Sequence, residues 1–201
     1  NSCQNVMYVY LSSFDLEKVQ KVPYPVRCSF FDKISQKEAR KNFNLPQDVF
    51  IVMILMGGSG SSKIEVYSRL ISEKFPEIHI VACVGGDKEL NRKLNVLGEK
   101  ARVTPIEFTE EIDVLMKASD LIVSKPGPAT ISEALICETP LLIDNASSQL
   151  VHEKPHFDFV KKNGYGYGFS SKEDMLDKIR ALQKKDSVYD SLKSNMKKAS
   201  S

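Results

Sequence analysis

The segment VHEKPH, residues 151–156, contains the pattern H-E-x-x-H, with which a helix presents two zinc ligands and a general base. In this chain the ligands would be His152 and His156, and the base would be Glu153. Pro155 opposes that arrangement, because a proline inside a helix removes a backbone hydrogen bond and costs about 3 kcal/mol. The pattern leaves three interpretations: a zinc hydrolase, which Pro155 disfavours, a pair of surface histidines, or a loop that makes polar contacts with a ligand.

Two loops rich in Gly, Ser and Pro have compositions suited to binding an anion. The first is GGSGSSK, residues 57–63, and the second is SKPGPATISEA, residues 124–134. Glycines let the backbone approach a ligand closely, and a loop that leads into a helix N-terminus offers unpaired N–H groups and a favourable dipole to a phosphate. The first loop is neither a Walker loop nor a dinucleotide fingerprint, because Ser62 and Lys63 stand where those motifs need glycines. The loops therefore predict a phosphate site, and a tight turn without a ligand is the alternative.

Glu133 lies near the start of the helix predicted after the second loop, and Thr130 is predicted to cap that helix. A carboxylate in this position often only compensates the helix dipole. The alternative is that Glu133 accepts hydrogen bonds from the vicinal hydroxyls of a sugar while the helix terminus holds a phosphate. That division of roles would suit a nucleoside diphosphate.

Short apolar runs alternate with helical patterns from residue 50 onward, beginning with FIVMILM at 50–56. This alternation predicts an α/β fold: a doubly wound, six-stranded parallel, Rossmann-like sheet covered by helices on both faces. With the common strand order 3-2-1-4-5-6, a ligand crevice opens at the carboxyl ends of the first and fourth strands, which the two loops follow. The predicted strands are 50–56, 78–84, 101–106, 121–124, 140–144 and 165–169, and the predicted helices are 35–42, 63–75, 88–97, 110–118, 130–137, about 150–162, and two from residue 172 onward.

The 201 residues carry a formal net charge of +2, which is too balanced to indicate a nucleic-acid partner. No apolar run approaches the roughly 20 residues that span a bilayer, and the four cysteines lack C-x-x-C spacing. A reducing cytoplasm is therefore expected. The chain opens without a signal-peptide pattern or an initiating Met. We expect residues 1–34 to be a lead-in from a missing N-terminal domain and residues 35–201 to form the ligand-binding domain with its C-terminal helices.

Three segments together resemble the C-terminal, donor-binding domain of the GT-B glycosyltransferases. They are GGSG at 57–60, EFT at 107–109 and ASDLIVSKPGPATISEALICETPLLI at 118–143. The segment PYPVRCSFF at 23–31 is similar to the entry of that domain in the lipid enzymes. Over residues 23–185 the chain most resembles monogalactosyldiacylglycerol synthases and processive diacylglycerol glucosyltransferases, and more distantly the peptidoglycan-precursor N-acetylglucosaminyltransferase.

The resemblance implies a site for a UDP-sugar donor. The nucleotide contacts that it implies are Gly58, Ser59, Gly60, Phe108, Gly127, Pro128, Ala129, Thr130 and Glu133, and the implied donor-sugar contacts are His152, Glu153 and His156. Residues 58–60 would line the diphosphate, and residues 127–130 would hold the phosphates at the helix N-terminus. Phe108 would lie at the uracil, and Glu133 would bind the ribose hydroxyls.

The resemblance also implies a hexosyltransferase that transfers the sugar of a UDP-hexose to a diacylglycerol-type lipid, with peripheral contact at a membrane surface. No cofactor and no metal ion are expected, since the helix dipole, with Lys63 or Lys125, would stabilise the leaving diphosphate. The catalytic base and the acceptor site are expected on the N-terminal domain, so no catalytic residue is assigned. The alternatives are a sugar-nucleotide-binding subunit that acts with a separate partner chain, and a binding module without catalysis.

Overall fold

The computed structural model describes residues 24–57, 61–145 and 154–200, which alternate between strands and helices. The strands are β1 (Ile51–Leu55), β2 (His79–Gly85), β3 (Val103–Glu107), β4 (Leu121–Ser124), β5 (Leu141–Asp144) and β6 (Gly166–Phe169). The helices are α1 (Gln36–Asn42), α2 (Ser62–Lys74), α3 (Lys88–Gly98), α4 (Ile112–Ala118), α5 (Pro128–Ile136), α6 (Lys154–Asn163), α7 (Lys172–Leu182) and α8 (Ser187–Ser200). A short 3-10 helix, Cys28–Phe31, precedes α1.

The strands form one parallel sheet in the order β3-β2-β1-β4-β5-β6. In its register, Met53 of β1 lies opposite Val81 of β2 and Ile122 of β4. The predicted fold and strand order are confirmed, and the carboxyl ends of β1 and β4 lie side by side where the order reverses. The predicted ends of the elements agree with the structure to within about two residues. Residues 150–153 of the predicted sixth helix lie outside the described residues.

β1 is buried on both faces, which explains its unbroken apolar sequence. Val52 and Ile54 pack into the core layer that contains side chains of α2, α3 and α7. Ile51 and Met53 pack into the opposite layer, with side chains of α4 and α5. Because side chains of both core layers pack against β1, they fix the position of the carboxyl end of this strand.

A buried ion pair lies at the amino ends of β1 and β4, at the opposite edge of the sheet from the loops that follow these strands. The Asp120 carboxylate accepts hydrogen bonds from the Arg40 guanidinium at 2.7 Å and from the Ile51 N–H at 2.7 Å. Arg40 also donates to the Ala118 carbonyl at 3.0 Å. Lys185 reaches the other Asp120 oxygen at 2.8 Å. The network joins α1, both central strands and the connection between α7 and α8.

The segment before α1 packs against the rest of the domain. Phe30 is buried in the core layer of α4 and α5, and the Lys117 ammonium donates to the Asp32 carbonyl at 2.9 Å. Ser35 then caps α1 through reciprocal hydrogen bonds with Glu38, which form a capping box. The predicted domain boundary at residue 34 stays a prediction.

Candidate functional site

A cleft of about 280 Å³ opens at the carboxyl ends of β1, β2 and β3 and is bounded by α4 and α5. Its walls combine apolar side chains, glycine backbone, two carboxylates and one guanidinium. The lining residues are Arg27, Leu55, Gly57, Cys83, Gly85, Glu107, Phe108, Thr109, Ile112, Thr130 and Glu133. A cleft of this kind, beside the point where strand order reverses, is the expected place for a small ligand in such a sheet.

The turn after β1 reaches the cleft at Gly57, which has φ +106°, a conformation that favours glycine. A Cβ atom at Gly57 would lie 3.4 Å from Cε and 3.6 Å from Nζ of Lys125. The exposed Lys125 ammonium therefore lies beside the start of the first loop. Gly58, Ser59 and Gly60, the predicted diphosphate contacts, lie outside the described residues.

The second loop leads directly into α5, whose first residue is Pro128. Gly127 is the N-cap residue. Its backbone is extended, and a glycine has no side chain with which to cap the helix. The prediction that Thr130 caps the helix is wrong. The Pro128 ring already has the φ angle that a first helical turn needs, so the helix begins two residues earlier. The N–H groups of Ala129 and Thr130 consequently belong to the first turn, where N–H groups have no partner inside the helix.

Glu133 lines the cleft together with Thr130, about one turn into α5, and it is half-buried. Burial raises the pKa of the Glu133 carboxyl, the positive charge of Arg27 opposes that rise, and the negative charge of Asp113 adds to it. A carboxylate that has lost part of its hydration gains from hydrogen-bond donors on a ligand. Glu133 lies beyond the first turn of α5, which disfavours simple compensation of the helix dipole, and its role in binding hydroxyl groups stays a prediction.

The carboxyl end of β3 places Glu107 and Phe108 at the cleft. Phe108 is 79% exposed, so its ring offers a flat apolar surface to a ligand. The Asn91 side-chain amide donates to the Glu107 carboxylate at 2.6 Å and holds it at the rim. The predicted nucleobase contact therefore lies in the same cleft as the predicted ribose contact, Glu133.

Arg27 is a lining residue that sequence reasoning missed, because PYPVR was interpreted only as a lead-in. In the structure the Arg27 guanidinium lies 5.5 Å from the centre of the Phe30 ring, and burial of Phe30 anchors this segment. Arg27 thus brings a positive charge to the cleft beside Glu133. The available signal was the similarity of residues 23–31 to a family segment, which gave no role to any single residue.

α6 begins at Lys154, and Pro155 lies in its first turn, where a proline is tolerated. His156 follows, and its Nδ1 donates to the Pro126 carbonyl at 3.1 Å. A neutral ring in this tautomer leaves Nε2 as a hydrogen-bond acceptor. The structure thus brings His156 to the second loop but does not place it among the lining residues of the cleft.

His152 and Glu153, the other residues of the zinc pattern, lie outside the described residues, so the pattern as a whole is not placed. Within the described ranges, no group of three or more His, Cys, Asp or Glu side chains is arranged to hold a metal ion. In the same ranges, no helix has the length and apolar character needed to cross a bilayer.

The model of the glycosyltransferase family 28 C-terminal domain matches residues 51–201. Monogalactosyldiacylglycerol synthase 2 of Arabidopsis thaliana is 27% identical over 205 residues, which cover 89% of this chain and 43% of the relative. The processive diacylglycerol beta-glucosyltransferase of Bacillus pumilus is 24% identical over 177 residues, covering 86% and 45% of the two chains. The pyrophosphoryl-undecaprenol N-acetylglucosamine transferase of Aquifex aeolicus is 26% identical over 186 residues, covering 89% and 52%. The chain therefore spans no more than about half the length of these relatives.

Solved glycosyltransferase structures share the fold at low sequence identity. WaaG, a glycosyltransferase involved in lipopolysaccharide biosynthesis, superposes with a TM-score of 0.66 at 14% identity over 84% of this chain and 47% of WaaG. Anabaena HepE, solved with UDP and glucose, superposes with a TM-score of 0.60 at 17% identity over 87% of this chain and 48% of HepE. These likenesses confirm the predicted sheet as the Rossmann-like fold found in one half of GT-B glycosyltransferases.

Proposed function

Because the chain belongs to the glycosyltransferase family 28 C-terminal domain family, we propose that its cleft binds the UDP moiety of a UDP-hexose, and that the whole protein transfers the hexose to an acceptor. The observation that carries the proposal is the position of Glu133. Its half-buried carboxylate lies inside the cleft, in the second turn of a helix whose N-terminus no side chain caps in the described residues. This arrangement offers an acceptor for ribose hydroxyls beside donors for a diphosphate.

The proposed contacts follow the length of a uridine diphosphate. Phe108 and the adjoining backbone of β3 contact the uracil, and Glu133 accepts from the ribose hydroxyls. The N–H groups of Ala129 and Thr130 donate to the phosphates, and Gly127 and Pro128 contact the same phosphates. Residues 58–60 complete the diphosphate site. The Arg27 and Lys125 side chains supply positive charge at the cleft and beside Gly57. In this proposal donor binding needs no metal ion.

In the transfer step, the bond between the sugar carbon and the β-phosphate oxygen breaks, and its electron pair leaves with UDP. The acceptor hydroxyl forms the new bond and loses its proton to a base outside the described residues. This chain stabilises the leaving diphosphate through the α5 dipole, first-turn N–H groups and nearby cations. Those groups are fixed before the reaction, so they need not reorganise as charge develops.

The activities of the relatives described above support a lipid acceptor. One relative is a monogalactosyldiacylglycerol synthase, and a second is a diacylglycerol glucosyltransferase. A third is a pyrophosphoryl-undecaprenol N-acetylglucosamine transferase. We propose a diacylglycerol-type acceptor, with the protein in peripheral contact with a membrane surface. His152, Glu153 and His156 stay the proposed sugar-contacting residues. The same donor site would serve if the acceptor domain belonged to a separate partner chain.

Calorimetric titration of UDP, UDP-galactose, UDP-glucose and UDP-N-acetylglucosamine tests the proposal directly. We expect UDP and at least one UDP-hexose to bind the folded chain equally well with and without EDTA, because the proposed site uses N–H groups and side-chain cations. Folded protein that binds none of these ligands would refute the donor-site proposal. Binding that depends strictly on zinc would instead favour the zinc interpretation of residues 152–156.

Replacement of Lys125 tests the source of positive charge at the diphosphate. We expect Lys125→Met to weaken UDP binding about fivefold, since an exposed charge contact contributes about 1 kcal/mol. Uridine, which lacks the diphosphate, should bind with unchanged affinity. Lys74→Met, an exposed change at the far end of α2, is the matched control and should affect neither ligand. Equal losses for UDP and uridine in Lys125→Met would show that Lys125 does not act on the diphosphate.

A further inference from the structure

A buried carboxylate ties the first turns of α2 to the end of β5. Asp144, the last residue of β5, is completely excluded from solvent. Its Oδ2 accepts a hydrogen bond from the Lys63 ammonium at 2.7 Å and another from the Tyr67 hydroxyl at 2.8 Å. Lys63 and Tyr67 are four residues apart on α2, so they present the same helix face to the carboxylate. We call these three residues the Asp144 bridge.

Burial of the Asp144 carboxylate costs free energy, which argues that the position in which the bridge holds α2 is important. A buried carboxylate is unfavourable unless a charge and hydrogen bonds compensate it. Burial and the neighbouring Asp144 both raise the pKa of the Tyr67 hydroxyl, so the phenol keeps its proton and donates. The Lys63 side chain is 38% exposed, so only its ammonium end is committed to the buried partner.

The bridge lies at the start of α2. Lys63 is the second residue of α2, and the N-cap of this helix is Ser61. Residues 58–60, which come just before Ser61, lie outside the described residues. β4 lies between β1 and β5 in the sheet, so the bridge joins α2, the helix that follows β1, to the strand on the far side of β4. The start of α2 is thereby held against the carboxyl end of β5, at the same edge of the sheet as the proposed diphosphate site.

We propose that Asp144 is a positioning residue, which acts through Lys63 and Tyr67 to hold the start of α2 in the geometry that binds the diphosphate. This inference rests on the proposed function. It differs from the sequence-based expectation that Lys63 itself stabilises the leaving diphosphate. Here Lys63 is the tether, and Lys125, whose ammonium lies beside Gly57, is the proposed diphosphate cation.

The two roles of Lys63 predict opposite results for Asp144→Asn. If Lys63 is a tether, Asp144→Asn and Lys63→Met both loosen the start of α2 and weaken diphosphate binding to a similar extent. The double variant should then be no worse than either single variant. If Lys63 binds the phosphates, Asp144→Asn releases the ammonium toward them, and UDP binding should be unchanged or tighter while Lys63→Met weakens it.

The measured quantity is the ratio of the dissociation constants of uridine and UDP, obtained by NMR titration and calorimetry. This ratio isolates the diphosphate contribution, which a general loss of stability does not change in the folded fraction. We expect Asp144→Asn to reduce the ratio about tenfold, as displaced binding groups do, with uridine affinity unchanged. Tyr67→Phe, which removes one hydrogen bond and keeps the ring, should reduce it less.

Glu65→Gln is the matched control, because Glu65 also lies on α2 and its ion pairs, with Arg69 of α2 and Lys93 of α3, do not involve the bridge. Its ratio should equal that of the unmodified chain. An unchanged ratio in Asp144→Asn, even with a lower melting temperature, would reduce the bridge to a structural role and overturn the inference. Failure of the unmodified chain to bind UDP would instead overturn the proposed function, so the two failures are distinguishable.

Discussion

Arg40→Met is expected to lower the free energy of unfolding by about 3–5 kcal/mol, the usual cost of removing one partner of a buried ion pair. Arg40 is 3% exposed and Asp120 is 1% exposed, so solvent screens their interaction little. The Arg40 guanidinium also donates to the carbonyls of Gln47 and Val49, at 2.6 and 3.1 Å. Methionine fills much of the volume but removes the principal buried cation from Asp120, which keeps the Ile51 N–H and the Lys185 ammonium, and it leaves these carbonyls without the guanidinium donor.

Urea unfolding followed by circular dichroism measures this loss, and two variants calibrate it. Lys185→Met removes a cation from the same carboxylate, but Lys185 lies 44% exposed in its side chain, so a smaller loss of about 1 kcal/mol is expected. Arg92→Met breaks an exposed pair with Glu89 and should leave stability nearly unchanged. A loss below that of Lys185→Met would contradict the assignment of Arg40 as the principal partner of Asp120.

The ligand-binding edge of the sheet should tolerate the Arg40 change. The Asp120 network lies at the amino ends of β1 and β4, whereas the cleft lies at the carboxyl ends. Folded Arg40→Met is therefore expected to bind UDP with nearly unchanged affinity. The variant would then lower the free energy of unfolding without changing UDP affinity, although both properties depend on β1 and β4.

The sheet could be predicted because its central strands have a strong local signal. A run such as FIVMILM is incompatible with a surface position, and the glycines after it end the strand abruptly. The strand order then followed from a general topological rule, and the cleft beside the β1 and β4 ends followed from the order. Glu133 was singled out in this way, because its loop follows β4, whereas Phe108 was implied only by the resemblance to the GT-B donor-binding domain.

Other features depend on tertiary contacts that produce no periodic pattern in the sequence. Arg27 reaches the cleft because the burial of Phe30 anchors the segment before α1, and no pattern within PYPVR indicates this. The Asp144 bridge joins residues 81 positions apart in sequence. The start of α5 was misplaced for a local reason: Thr130 is a good capping residue, but the preference of Pro128 for the first helical position prevailed.

Glu133→Ala is expected to weaken UDP binding by about 1–3 kcal/mol, or roughly 5- to 150-fold, as for the loss of hydrogen bonds to a charged group. The physical reason is that the half-buried carboxylate would accept from the ribose hydroxyls, and alanine leaves those hydroxyls without an acceptor. Calorimetric titration measures the change. Glu110→Gln, an exposed carboxylate change that does not line the cleft, is the matched control and should bind UDP normally.

The pH dependence of uridine binding tests the charge of Glu133 itself. Burial raises the pKa of this carboxyl in the free chain, and donors from a ribose would stabilise its ionised form and lower that pKa on binding. Affinity for uridine should therefore be highest above the raised pKa and fall as the pH drops through it. Uridine serves better than UDP here because it carries no phosphate to titrate. Glu133→Gln should bind more weakly at neutral pH and lose this acidic decline. If Glu107→Gln removes the decline and Glu133→Gln retains it, the ribose carboxylate is Glu107, at the β3 side of the same cleft.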